Sequence, residues 1–250
     1  MTTNETQAVI KVQNISKTFH VKSQDVQVLS NISLTVNKGD FLILFGHSGC
    51  GKSTLLHILL GLEPPSTGKL IFFGKSLYEN MDEDERTEFR KTHIGMVYQQ
   101  PNWIKSLSVL DNIVFALRLN GIKANEAVQK ANSVLRTVGM EEWSDYVPTE
   151  LSSGQQQKIA LARAIVTNPD ILIADEPTGN LDFESGQDLM NLLSKLNKEG
   201  KTIIMVTHDL EYLPFANRAI QMFNGKVIQE VEDPKTFVKT ENKLLKRVTS

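Results

Sequence analysis

"FLILFGHSGCGKSTLLHILL", Phe41 to Leu60, decides the fold. Its first five residues form a continuous apolar run, the pattern of a strand buried on both faces. Lys52 to Leu60 read as a helix closed by Gly61 and the Glu63-Pro64-Pro65 stop. Between them "GHSGCGKST" matches G-x-x-x-x-G-K-[ST], in the strand–turn–helix context that the pattern requires. Glycines in such a turn let backbone N–H groups curl around phosphate oxygens, and the helix N-terminus adds a favourable potential. Gly46, His47, Ser48, Gly49, Cys50, Gly51, Lys52, Ser53 and Thr54 are therefore candidate phosphate-loop residues. Lys52 is placed to neutralise terminal phosphates and Ser53 to present its hydroxyl to Mg²⁺. Cys50 reads as a small packing residue.

Two further buried runs deliver polar residues to the same edge. "ILIADE" ends a strand on Asp175 and Glu176, and "TIIMVTHD" ends another beside His208. In doubly wound sheets ligands gather at the carboxyl ends of the strands. Asp175 is thus expected at the metal that Ser53 holds, directly or through water. Glu176 is aimed at a water in line with the γ-phosphate, and His208 at the γ-phosphate itself.

Working outward, "AVIKVQNISKTF" and "VLSNISLTV" read as short strands of mixed alternation, and "GKLIFFGK" as another strand. The acidic run "ENMDEDERTEF" reads as a solvated first helical turn, its acids near the positive end of the helix dipole. From about Lys91 to Thr167 the pattern is mainly helical, with Ala127, Val128, Ala131, Val134, Leu135 and Val138 on one face and Gly139 as the cap. A leucine-marked helix (Leu189, Leu192, Leu193, Leu196) follows, and "AIQMFNGKVIQE" is a hairpin turning at Asn224-Gly225. Strands alternating with helices imply an α/β fold with a mostly parallel sheet. The stretch between the first two core strands is too long for one crossover, so it is expected to be a helical insertion.

"TELSSGQQQKIALARAI", Thr149 to Ile165, carries the S-x-x-Q spacing of a capping box at Ser152 and Gln155. A capped helix start rich in free N–H groups is also an anion receptor.

Composition bounds the remaining possibilities. Hydrophobic residues make up 40% and charged residues 22%, near the globular norm, so disorder is not the default. A net charge of −2 gives no electrostatic case for nucleic acid. One cysteine forms no internal disulfide, which suits a reducing compartment. The start, "MTTNETQAVI", lacks the pattern of a secretory signal, and no stretch reaches the roughly 20 apolar residues of a membrane span. At a membrane, another chain must supply the span.

The order "GHSGCGKST", "VYQQ", "LSSGQ", "ILIADEPTGNLD" and "VTHD" resembles the nucleotide-binding subunit of ATP-binding-cassette (ABC) transporters, over about Ile10 to Glu230. The pairing of "LSSGQQQKIALARAI" with "ILIADEPTGNLD" is similar to the branch that serves lipoprotein release, macrolide efflux and cell division. The resemblance implies a P-loop NTPase core with an N-terminal antiparallel β subdomain and an inserted α-helical subdomain. It implies one domain at about 8–235 (core about 8–90 and 168–235, insertion about 91–167) and a basic tail at 236–250. It places Phe19 against adenine, Gln99 (or its neighbour Gln100) at Mg²⁺ and the attacking water, and Asp182 in a loop that communicates across a dimer. Ser152, Ser153, Gly154 and Gln155 fall at the signature that binds the γ-phosphate of ATP held by a second copy. The family's usual residue at Ser153 is glycine, and the serine puts in doubt how closely the copies approach. Pro148 and Glu150, with the apolar Trp103 and Ile104, fall near the groove for the coupling helices of the membrane subunits.

The implied function is ATP binding and hydrolysis by a dimer working with permease-type subunits at the cytoplasmic face of the membrane, with no nucleic acid. Two rivals remain: a soluble cassette that clamps nucleic acid or ribosomes, and a regulatory scaffold. The tail beyond Glu232 is either a frayed solvated terminus or a short basic helix near the membrane surface.

Overall fold

A computed structural model describes residues 7–22 and 24–240. The first two strands, β1 (Ala8–Val21) and β2 (Gln24–Asn37), form an antiparallel pair of 14 residues each, longer than the short strands expected. The mixed alternation has a physical cause. The register shifts between Val12 and Ile15, Ile15 and Lys17, and Lys17 and Thr18, and each irregularity resets which face a side chain meets.

β3 (Phe41–Phe45) is buried at every position and leads into α1 (Lys52–Leu59). β4 (Thr67–Phe72) and β5 (Lys75–Ser76) complete a four-stranded antiparallel sheet in the order β2-β1-β4-β5. The acidic run forms the start of α2 (Glu83–His93), capped by Asp82 through a full capping box and carrying no buried residue.

Next comes β6 (Ile94–Val97), which corrects the sequence reading: this stretch was expected to be helical and is instead a parallel partner of the strand ending at Asp175. Four residues are too few to show a period, so tertiary pairing decides them. The helical part follows as α3 (Val109–Leu119), α4 (Ala124–Thr137) and α5 (Ser153–Ile165). Then come β7 (Ile171–Asp175), α6 (Phe183–Lys198), β8 (Thr202–Thr207), β9 (Arg218–Phe223) and β10 (Lys226–Val231). The turn between β9 and β10 uses positive φ at both Asn224 (44°) and Gly225 (73°), the twist a tight hairpin requires.

The second sheet has the order β10-β9-β3-β8-β7-β6, parallel except for β10. β3 lies inside it, and its side chains divide between two cores. Phe41, Ile43 and Phe45 pack among residues of α3 to α6, while Leu42 and Leu44 pack among residues of α1 and the antiparallel sheet. Burying each such side chain contributes about 1.5–3 kcal/mol. The continuous apolar run is thus a strand with a core on each face.

Residues 234–240 are helical, and Phe237 meets Phe45 edge-on at 5.8 Å between ring centroids. This beginning of the tail is packed rather than frayed; Glu241, Lys243, Leu244, Leu245, Lys246 and Arg247 lie outside the described residues. Among the described residues no helix is long and apolar enough to cross a membrane.

Candidate functional site

The loop from Gly46 to Gly51 leaves β3 at its carboxyl end and turns into α1. Gly51 caps the helix with φ 102°, and a Cβ there would come within 2.8 Å of Leu29 Cδ2 and 3.0 Å of the Val28 carbonyl oxygen. No other residue satisfies both constraints without strain. Cys50 is buried, its backbone N–H donating to the His47 carbonyl and its own carbonyl accepting from Gly225, as suits a packing residue. Lys52 is 4% exposed, and its ammonium donates to the carbonyls of Gly46 (2.8 Å) and His47 (3.1 Å). The cation is thus held inside the loop, while Ser53 at the first turn of α1 is exposed.

β8 lies beside β3 in the sheet and β7 beside β8, all parallel, which brings their terminal residues to one edge. Asp175 ends β7, and Glu176 follows in a left-handed conformation, φ 43°. His208 follows β8, and its Nδ1 lies 3.1 Å from Glu176 Oε2. The expectation that these two side chains share one edge is met by direct contact. A cavity of about 290 Å³ opens there between His47 and His208, with Phe45, Gln221, Gln229 and Phe237 in its walls. A larger one, about 560 Å³, lies away from this edge between α2 and α3 to α5; its lysines Lys91 and Lys130 are already paired with Glu88 and Glu126.

Asp175 is the residue that asks for a cation. Its Oδ1 is buried with no hydrogen-bond partner among the described residues. Burial first, and then the neighbouring Glu176 carboxylate, push its carboxyl above the usual carboxylate range, while His57 and Lys52 pull it down. A divalent cation would remove this mismatch by supplying the missing partner and a positive charge. Among the described residues no three histidine, cysteine or acidic side chains cluster as a complete metal site. A single buried carboxylate oxygen without a partner fits Mg²⁺, which takes one or two protein ligands and completes its shell with water and substrate phosphates.

Gln99 is exposed just beyond β6, and its Nε2 lies against Gly179, where an added Cβ would come within 2.8 Å. This places it beside the loop that leads from Glu176 to Asp182. Gln100 is also exposed and has no comparable contact among those described. Asp182 is the N-cap of α6, accepting from the Ser185 backbone N–H and hydroxyl, both at 2.9 Å. These bonds hold its carboxyl below the usual range.

Phe19 lies in β1, half-buried, with the Lys17 ammonium 4.8 Å from its ring centroid. Lys17 pairs across the strands with Leu29, the residue that abuts Gly51, so Phe19 lies two positions along the strand from the phosphate loop. It is outside the fully buried core.

The Ser152–Gln155 box forms as expected: Gln155 N–H donates to Ser152 Oγ (3.3 Å) and Ser152 N–H to Gln155 Oε1 (2.9 Å). Ser153 is the first residue of α5 and is exposed. No hydrogen bond or ion pair among the described residues ties this turn to the phosphate loop of the same chain. Its contacts run elsewhere, and the sequence reading missed them. Gln157, one turn on and 2% exposed, donates to the Tyr98 carbonyl at 2.8 Å, directly before Gln99. Trp103, expected near the groove for a partner, is half-buried and engaged within the chain. Its indole N–H donates to Gln156, and the Arg163 guanidinium lies 4.5 Å from its ring centroid. Ile104 is 38% exposed.

Comparison with known proteins decides the family. Residues 29–179 fit the model of the ABC transporter family. The chain belongs to that family. It is 39% identical to the ABC transporter ATP-binding protein YbbA of Escherichia coli K12, over 89% of this chain and 97% of that one. It is 38% identical to the macrolide export ATP-binding/permease protein MacB of Chlorobaculum tepidum over 89% of its own length. There it spans only 34% of the relative, about a third of its length. Among solved structures it resembles the cassette MJ0796, captured as a dimer in a post-hydrolysis state bound to ADP and Pi. That match has a TM-score of 0.82 at 36% identity, covering 89% of this chain and 98% of that one. The protein is an ABC ATP-binding subunit, an ATPase with the expected α/β architecture.

Proposed function

We propose that two copies of this ABC subunit close around ATP and Mg²⁺, each nucleotide lying between the phosphate loop of one copy and the Ser152–Gln155 turn of the other. The observation that carries this is the separation of the two halves within one chain. The capped, exposed helix start has no hydrogen bond or ion pair to its own phosphate loop among the described residues, while the phosphate loop, Glu176 and His208 form an open edge. A solved relative is dimeric. Closure follows from differential binding, because the faces attract when a triphosphate lies between them.

In the closed site Phe19 stacks on adenine, and the backbone N–H groups from Gly46 to Thr54 surround the phosphates. Ser53, Asp175 and Gln99 would hold Mg²⁺, which would supply positive charge to neutralise the phosphates. Glu176 orients and polarises the attacking water. His208 steadies the Glu176 carboxylate through their 3.1 Å contact and presents its other nitrogen toward the γ-phosphate. Lys52 exchanges carbonyl partners for phosphate oxygens and stabilises the charge that develops on the transferred group. Ser153 keeps the backbone N–H that glycine would offer. Asp182 sets the loop that faces the second copy.

Separate permease-type subunits supply the membrane span, and the protein works peripherally at the cytoplasmic face, without nucleic acid. The loop at 98–108, with Ile104 exposed, and the exposed Thr149 and Glu150 offer the surface for those subunits; Pro148, expected there too, is buried. Glu176→Gln is expected to bind ATP normally and to lose turnover by about 10²-fold or more. Normal turnover in that variant contradicts the assignment of Glu176. Purification from detergent-solubilised membranes tests the partner: an integral membrane chain is expected to accompany the protein. A wholly soluble protein retaining nucleic acid contradicts this reading.

A further inference from the structure

The start of α5 and the start of α6 are locked together in one chain. A Cβ built on Gly154 would come within 2.6 Å of Ser185 Oγ and 2.8 Å of Ser185 Cβ, closer than real atoms pack. Gly154 is buried, although Ser152, the cap, and Ser153, the first helical residue, are exposed. Ser185 is in turn fixed by Asp182, which accepts from both its N–H and its hydroxyl at 2.9 Å. One helical turn further along, Lys158 on α5 pairs with Asp188 on α6 at 2.8 Å. Two contacts one turn apart fix both the separation and the rotation of these helix starts.

Ordinary reasoning gives a glycine at an anion-binding helix start to the ligand, because a side chain there would hold the ligand off. The geometry assigns it differently. We infer that Gly154 is glycine because Ser185 occupies the space of its Cβ, and that Ser185 is a positioning residue. It locks the Ser152–Gln155 turn to the Asp182 loop, so that both meet the second copy as one rigid unit. This rests on the two-copy reading above. In that reading both segments act on the opposite copy, and a unit held at a fixed spacing reaches the second copy's phosphates already oriented. The orienting entropy is then lost on folding rather than at closure. Ser185 touches neither nucleotide nor metal; it acts only through Gly154 and Asp182.

The test is second-site rescue. Gly154→Ala is expected to lower kcat at least about tenfold, the scale of forcing one methyl into a filled space. Binding of ATP to the single copy, set by that copy's own phosphate loop, is expected to be unchanged. Ser185→Gly removes both atoms that the new Cβ meets, so Gly154→Ala/Ser185→Gly is expected to recover most of the kcat of Ser185→Gly alone. If Gly154→Ala slows the Ser185→Gly protein by the same factor as it slows the parent, nucleotide approach excludes the Cβ and the inference is overturned. Thermal melts of all three variants separate this from unfolding: a Gly154→Ala protein that melts as the parent does, yet is slow and rescued, is the expected result. Equal kcat for Gly154→Ala and the parent also overturns it. Failure of the two-copy reading is seen elsewhere, as an absence of ATP-dependent dimer in a chain whose Gly154 and Ser185 are intact.

Discussion

At the scale of the residue, Asp175 and Glu176 show how one strand end makes two different carboxylates. Asp175 faces inward with an orphaned oxygen and a pKa raised by burial. Glu176 turns out through a left-handed backbone, which costs of order 1–3 kcal/mol, and meets His208. The raised pKa has a defined sign for stability. Stability linked to the protonated Asp175 is complete below its ordinary value of 3.8 and is lost as pH rises through the raised folded value. The charged form without metal is therefore the less stable one, because its oxygen is buried and unpartnered. Asp175→Asn is expected to raise the melting temperature in chelator, by about 2–4 °C for each kcal/mol of relief, and to abolish Mg²⁺-dependent hydrolysis. A lower melting temperature at pH 7 in chelator contradicts this account of the site. Both acids were legible as the end of "ILIADE"; the strain at Glu176 was not, because positive φ in a non-glycine residue leaves no mark in the sequence.

At the scale of the element, α5 carries more than its cap. Ser152 and Gln155 close the helix start, as their spacing foretold. Replacing Ser152 with Ala is expected to cost about 1 kcal/mol, measurable as a lower denaturant midpoint at unchanged slope. Gln157 was hidden in a run of three glutamines, and only its burial distinguishes it. It holds the carbonyl before Gln99, so the helix that begins at Ser153 is tied to the chain's own glutamine loop. Gln157→Leu leaves that carbonyl without its side-chain donor, at an expected cost of about 1–3 kcal/mol. Its kcat is expected to fall while single-copy ATP affinity holds. A fall in affinity with kcat intact contradicts the tie to Gln99. The Gly154–Ser185 contact was equally illegible, since it joins positions far apart on two helices and neither residue type announces a partner.

At the scale of the whole molecule, buried runs and glycine punctuation revealed the parallel sheet, the hairpin and the helical stretch because each obeys a local rule. β6 escaped because four residues carry no period, and the length of β1 and β2 escaped because bulges scramble alternation. The phosphate loop, Asp175, Glu176 and His208 converge because parallel strands end on one edge. In the two-copy proposal, one chain holds only half of each site. The most direct measurement is the mass of Glu176→Gln in solution by light scattering. With ATP and Mg²⁺ it is expected to double from the 28.0 kDa of a single chain, and with ADP to remain there. A mass that stays at one chain under saturating ATP and Mg²⁺ contradicts the shared site.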